Sequence, residues 1–183
     1  GLLLHTLGHI KDKKYFELAK DCYDQAIKIK SDFADAYWNK SLSQLTLGEF
    51  AEGWKNYEYR FKLESAKSQF VDVPRLESLK NVMNKRILIW SEQGLGDSIQ
   101  FSRYIYKILD LGAKVTFDIS KLLTSLMSRQ FNCTVNETGQ GLVKNNFDFQ
   151  IPLLSLPMLF NTELNSIPFN GAYLKTSKDK DDE

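Results

Sequence analysis

The sequence is poor in residues that staple or interrupt a chain. Its 183 residues include two cysteines and four prolines. Cys22 and Cys133 fall on opposite sides of the expected domain boundary, which argues against a disulfide framework and points to a reducing, cytoplasmic setting. Long apolar runs are absent, so no membrane span is expected. Leu2-Leu3-Leu4 runs straight into His5 and Gly8, too short for a secretion signal. Without one, the acceptor triplets at Asn39, Asn132 and Asn136 read as coincidence. An excess of one charge is also missing: the net charge is +1, which removes the electrostatic case for nucleic acid or an anionic membrane surface. Gly1 in place of methionine is expected of a fragment. What remains, 43% hydrophobic and 26% charged residues, is the composition of an ordinary globular chain with one large domain or two small ones.

Residues 1–62 contain no proline and repeat apolar residues at helical spacing. Leu18, Cys22, Ala26 and Ile29 form one stripe, and Trp38, Leu42 and Leu45 another. Ser31-Asp32 is placed to break and cap between them. His5 and His9 share a helix face at metal-ligand spacing, but no Asp, Glu or Cys completes a site, so no metal is expected. A shift of 34 residues brings Leu3 onto Tyr37, Phe16 onto Phe50, Ala19 onto Gly53 and Tyr23 onto Tyr57. Phe16, Ala19, Tyr23 and Ala26, like Gly48, Phe50, Gly53 and Tyr57, follow the small and aromatic pattern of the tetratricopeptide (TPR) repeat, which this segment resembles. Departures are Lys14 for a common glycine, Ser31 for proline and Arg60 for alanine. The resemblance implies helical hairpins that either dock a protein or peptide in a concave groove or serve as a packed spacer.

Residues 63–84 change character: Glu64-Ser65-Ala66-Lys67-Ser68-Gln69 is polar and Pro74 opposes a continuous helix. This reads as a linker pinned to the surface by Phe70, Val71 and Val73. From Lys85 the pattern alternates. Strands are expected near 86–90, 114–119, 133–135 and 147–152, with a last short one at 171–174. One helix is expected over 97–111, with Ile99, Ile105, Ile108 and Leu109 inward and Gly112 as its stop, and a second from Ser120 to about Arg129. Gly139 and Gly141 mark a loop, and 153–160 a loop with a helical turn. Alternation of strand and helix predicts a right-handed, parallel, Rossmann-like sheet over 85–175. The charged 176–183 reads as a disordered tail.

Residues 86–103, RILIWSEQGLGDSIQFSR, organise the chain: a β-branched strand, a turn with two glycines, and a helix. In an open α/β sheet such a turn lies at the carboxyl edge, where ligands bind. The dinucleotide fingerprint fails because Ile99 stands at its third glycine, although Asp118 ends the second strand. Glu92, Gly94, Gly96 and Asp118 resemble the first motifs of Rossmann-like methyltransferases, which bind S-adenosylmethionine.

A longer similarity runs through GEFAEGWKNYEYRF, EQGLGDSIQFSRYI, LLSLPMLF and IPFNGAYL. Together these resemble bacterial TPR proteins fused to a glycosyltransferase-like domain similar to the heptosyltransferases. Leu76 departs from a common tryptophan. The resemblance implies the N-terminal half of a GT-B architecture, which holds a sugar or glycan acceptor. The nucleotide-sugar donor would bind a C-terminal half absent from this chain. The expectation is thus an N-terminal glycosyltransferase fragment, inactive alone, with no cofactor of its own. Asp97 aligns with the aspartate proposed to assist the acceptor hydroxyl; its other role would be a helix N-cap. Glu92, Gln93, Gly94, Leu95, Gly96, Ser98 and Arg103 are the expected ligand-binding residues. Glu92 would otherwise bond the glycine loop, and Arg103 would otherwise pair with a carboxylate. A cleft face left open by the missing half admits a homodimer. The competing expectations are a non-catalytic TPR interaction module with a small-ligand domain, and a methyltransferase.

Overall fold

In the computed structural model, residues 1–10, 12–63, 70, 72–142, 146–169 and 171–175 are described. The chain is mixed α/β and divides into two compact units, Gly1–Gln69 with Asn161–Ser166, and Phe70–Phe160 with Ile167–Glu183. The expected tail and the polar 64–69 run lie outside the described residues, as does Val71.

The first unit is helical: α1 (Leu2–Ile10), α2 (Lys14–Ile29), α3 (Ala34–Leu47) and α4 (Phe50–Tyr57), followed by a 3₁₀ turn at Glu58–Lys62. Consecutive helices pack on one another. The buried face of α2 is Phe16, Ala19 and Tyr23. The expected stripe is overturned, because Ile29 is 89% exposed, Leu18 46% exposed, and Cys22 is also exposed. A helix offers more than one apolar row, and here the row holding two aromatics wins because it removes more surface from water. Ala19, Tyr23 and Ala36 form the core, with Leu4, Ala26 and Ile27 against it. Gly48 ends α3 in the left-handed conformation, φ 86°, its N–H reaching the Leu45 carbonyl. Gly53 lets α4 approach α3 closely: a methyl there would lie 2.8 Å from Leu45 Cδ2. Residue Phe33, with no side-chain cap bond, precedes α3, so Asp32 does not cap it.

The second unit is built on β1 (Arg86–Trp90), β2 (Lys114–Ile119), β3 (Thr134–Glu137) and β4 (Phe149–Pro152), in the order β3-β2-β1-β4. All pairings are parallel. Ile87, Leu88 and Ile89 are wholly buried, as expected of a central strand covered on both faces. On one side of β1 the chain steps outward to β2 and β3, and on the other it returns as β4. The carboxyl ends of β1 and β4 therefore flank a topological switch point.

The expected single helix after β1 is two: α5 (Leu95–Phe101) and α6 (Arg103–Asp110), broken at Ser102. Gly112 ends α6 with φ 79°, as its sequence position suggests. Then come α7 (Lys121–Gln130) and, beyond β4, a 3₁₀ turn at Leu153–Ser155 and α8 (Leu156–Leu159). Leu164–Ser166 is a further 3₁₀ turn. Residues 171–174 form no strand; their side chains and backbone are used on the helices instead, as described below.

Part of the expected linker is core. Phe70, Val73, Leu76 and Val82 are buried, and Phe70 packs on Trp90 with ring centroids 5.7 Å apart. The backbone at Pro74 and Leu76 exchanges hydrogen bonds with Gln150, covering the β4 edge.

Candidate functional site at the carboxyl edge of the sheet

The site begins where β1 stops. Trp90 is fixed by its indole N–H, which donates to Gln150 Oε1 at 2.7 Å. The chain then turns through Ser91, whose N–H bonds the Asp118 carbonyl, and reaches Gly94, the N-cap of α5. Gln93, Gly94, Leu95 and Gly96 are exposed. They present a short backbone surface at the positive end of a helix, which favours anionic or hydroxyl-bearing groups.

Asp97 lies in the first turn of α5, three residues after the cap, so it is not the N-cap that its sequence position also allowed. Its Oδ2 would sit 3.5 Å from a methyl added at Gly94, so the carboxylate folds back over the cap. The side chain is half-buried. A carboxylate so placed keeps the acceptor capacity that a hydroxyl donor needs.

Glu92 ties the two loops of the switch point together: the Leu154 N–H donates to its Oε1 at 3.3 Å. Its expected partner was the glycine loop; the partner found is the turn after β4. Ser98 is buried, and its Oγ donates to the Gly94 carbonyl at 3.1 Å, so it locks the turn from inside. Arg103 is directed elsewhere. Its Nε donates to the Gln100 carbonyl at 2.9 Å, its Nη1 to the Pro168 carbonyl at 3.2 Å, and its guanidinium lies 4.4 Å from the Tyr173 ring. In these contacts its partners are carbonyls and a ring rather than a carboxylate. Glu92–Asp97 thus share one turn, and Arg103 opens α6 beyond it.

Asp118, at the end of β2, is 2% exposed. Its Oδ1 accepts from Asn136 Nδ2 at 2.6 Å and its Oδ2 from Thr138 Oγ1 at 3.0 Å. Each oxygen keeps a further lone pair, but the buried side chain presents it to no open surface. Leu154 and Tyr173 were missed as contributors. Leu154 acts through its backbone and leaves no side-chain signal; Tyr173 lay in the IPFNGAYL run but read as strand.

An open groove of about 730 Å³ lies at the other end of the strands, where Arg86 and Lys114 open β1 and β2; it is lined by none of Glu92–Ser98, and touches the residues above only at Asn136. Among the described residues no group of three or more His, Cys, Asp or Glu could hold a metal ion. His5 and His9 meet at 3.3 Å between their Nε2 atoms, with the His5 Nδ1 2.8 Å from Ser43 Oγ. No helix among the described residues is long and apolar enough to cross a membrane.

No family model matches this chain, and no solved structure does. Among curated proteins it is similar to Protein FlbA of Caulobacter vibrioides: 24% identical over 150 residues, taking in 60% of this chain and 25% of FlbA. The match thus spans about a quarter of that relative's length.

Proposed function

We propose that this chain carries the acceptor-side half of a GT-B glycosyltransferase, preceded by a TPR-like helical unit that docks a protein or peptide. The observation that carries the reading is the position of Asp97: a half-buried carboxylate in the first turn of a helix, at the carboxyl edge of a parallel sheet and beside its switch point. In this reading Asp97 accepts the proton of an acceptor hydroxyl as that oxygen bonds to the anomeric carbon of a nucleotide-sugar, while the bond from that carbon to the diphosphate oxygen breaks and the nucleoside diphosphate leaves. The exposed backbone of Gln93, Gly94, Leu95 and Gly96 positions the acceptor, and the Glu92 link to Leu154 keeps the two loops in register. The donor is held by a second α/β half, so this chain alone turns over nothing.

The test uses the longest natural protein containing these residues, assayed for sugar transfer from a panel of nucleotide-sugars. Asp97→Asn is expected to lower kcat/KM by about a hundredfold or more with acceptor affinity kept, the usual weight of a general base. Transfer at the unaltered rate by Asp97→Asn would remove the residue from the chemistry. Absence of transfer across the panel, with a folded protein, would sink the reading.

A further inference from the structure

The break between α5 and α6 is dressed by side chains. The Ile99 carbonyl accepts from Ser102 Oγ at 2.8 Å and from the Tyr173 hydroxyl at 2.7 Å. The Gln100 carbonyl accepts from Arg103 Nε, and lies 3.2 Å from the same tyrosine oxygen. Arg103 in turn stacks on the Tyr173 ring and reaches the Pro168 carbonyl. The segment that delivers Tyr173 is tied down at both ends. At one end Phe169 packs edge-on against Tyr106 and stacks on Tyr173. At the other, Lys175 exchanges two hydrogen bonds with the Gln130 side chain, at 2.6 and 2.9 Å. The Tyr106 hydroxyl bonds the Gln130 carbonyl at 3.2 Å and lies 3.4 Å from that of Tyr173.

Phe169 sits at φ 61°, a left-handed conformation that a bulky residue adopts only where its surroundings over-determine it. A loose terminal stretch would relax out of it. This stretch does not, because five side-chain anchors on α6, α7 and the segment itself hold it.

We propose that residues 168–175, Asn170 excepted, form a positioning strap for the 94–97 turn, with Tyr173 and Arg103 as its positioning residues. The physical link is α5 itself. It has seven residues, about 10 Å of helix, with the turn at one end and the strapped Ile99 and Gln100 carbonyls at the other. A helix so short has few internal bonds and frays readily alone. Holding its carbonyl end therefore sets where its amide end, and Asp97, can be. The proposal rests on the turn being the site, and is indifferent to which chemistry occurs there.

The test is site-resolved amide exchange on this chain. Tyr173→Phe removes one hydroxyl and keeps the ring. Exchange at the hydrogen-bonded amides of α5, residues 98–101, is expected to rise about three- to tenfold, the effect of one hydrogen bond on a local opening. Exchange in β1 and β2 should stay within about twofold of the parent. Arg103→Lys, which keeps the charge but loses the fork and the stacking, should give the same local rise. Unchanged exchange at 98–101 in both variants would show the strap to be passive and overturn the proposal. An equal rise throughout the second unit would also overturn it, making Tyr173 a general stabiliser. Failure of the sugar-transfer reading would leave either exchange pattern unmoved, so the two are separable.

Discussion

The Leu154 N–H donates to Glu92 Oε1 across the switch point of the sheet, joining residues 62 apart in the chain. At 3.3 Å it is a long bond, but it is made to a carboxylate and connects the turn after β1 to the turn after β4. Glu92→Gln keeps an acceptor oxygen and should leave the fold intact. Glu92→Ala is expected to cost about 1 kcal/mol or less, since the side chain is part-exposed. Urea unfolding of both variants checks it: an equal loss in the two would mean the charge, not the acceptor, holds the loops.

Asp118→Ala should cost more. It removes the buried acceptor shared by the Asn136 amide and the Thr138 hydroxyl, although the amide keeps the Glu137 carbonyl and the hydroxyl reaches water. Losing hydrogen bonds to a charged group costs about 1.5–3 kcal/mol. The denaturation midpoint reads this, and Asp118→Asn should recover part of it. The burial of Asp118 predicts no thermal shift with S-adenosylmethionine; a clear upward shift would favour the methyl-donor reading.

Asp148 supplies a pH dependence. The Arg86 backbone N–H and then its guanidinium bond the carboxylate and hold it below the usual aspartate value of 3.8. A folded-state value below the unfolded one stabilises the fold above the unfolded value and is lost as pH falls through the folded one. Stability should therefore decline in acid below the ordinary carboxylate range, and Asp148→Asn should flatten that part of the profile. Unfolding midpoints followed from neutral pH into acid test this.

The two thiols should differ in reactivity. Burial pushes Cys133 up to about 11, and its thiolate fraction near neutral pH is correspondingly small. Cys22 is exposed. Alkylation of the native chain, followed by peptide mass analysis, should modify Cys22 first and the half-buried Cys133 more slowly. Modification of both at one rate would contradict the raised value of the Cys133 thiol.

Some of this was readable from the chain. The run Ile87-Leu88-Ile89-Trp90 followed by two glycines specified a strand and a tight turn, because β-branched residues favour the pleated surface and glycine admits close backbone approach. β2 formed over the expected residues 114–119. The break at Ser102 was not readable, since Ile99, Ile105 and Ile108 keep a helical rhythm across it. Nor was the fate of 171–174: an apolar, aromatic stretch has strand character until no strand edge takes it up and helix carbonyls do.

The sequence by itself determined β1, β2, the parallel class of the sheet and the turn that bears Asp97, because these follow from propensity and periodicity within a few residues. Only the tertiary structure decided what each carboxylate meets. Strand order brought Leu154 to Glu92, the neighbouring strand brought Asn136 to Asp118, and a distant segment brought Tyr173 to the end of α5. Such partners are set by which backbones become adjacent, a property of the packed chain that local spacing does not encode.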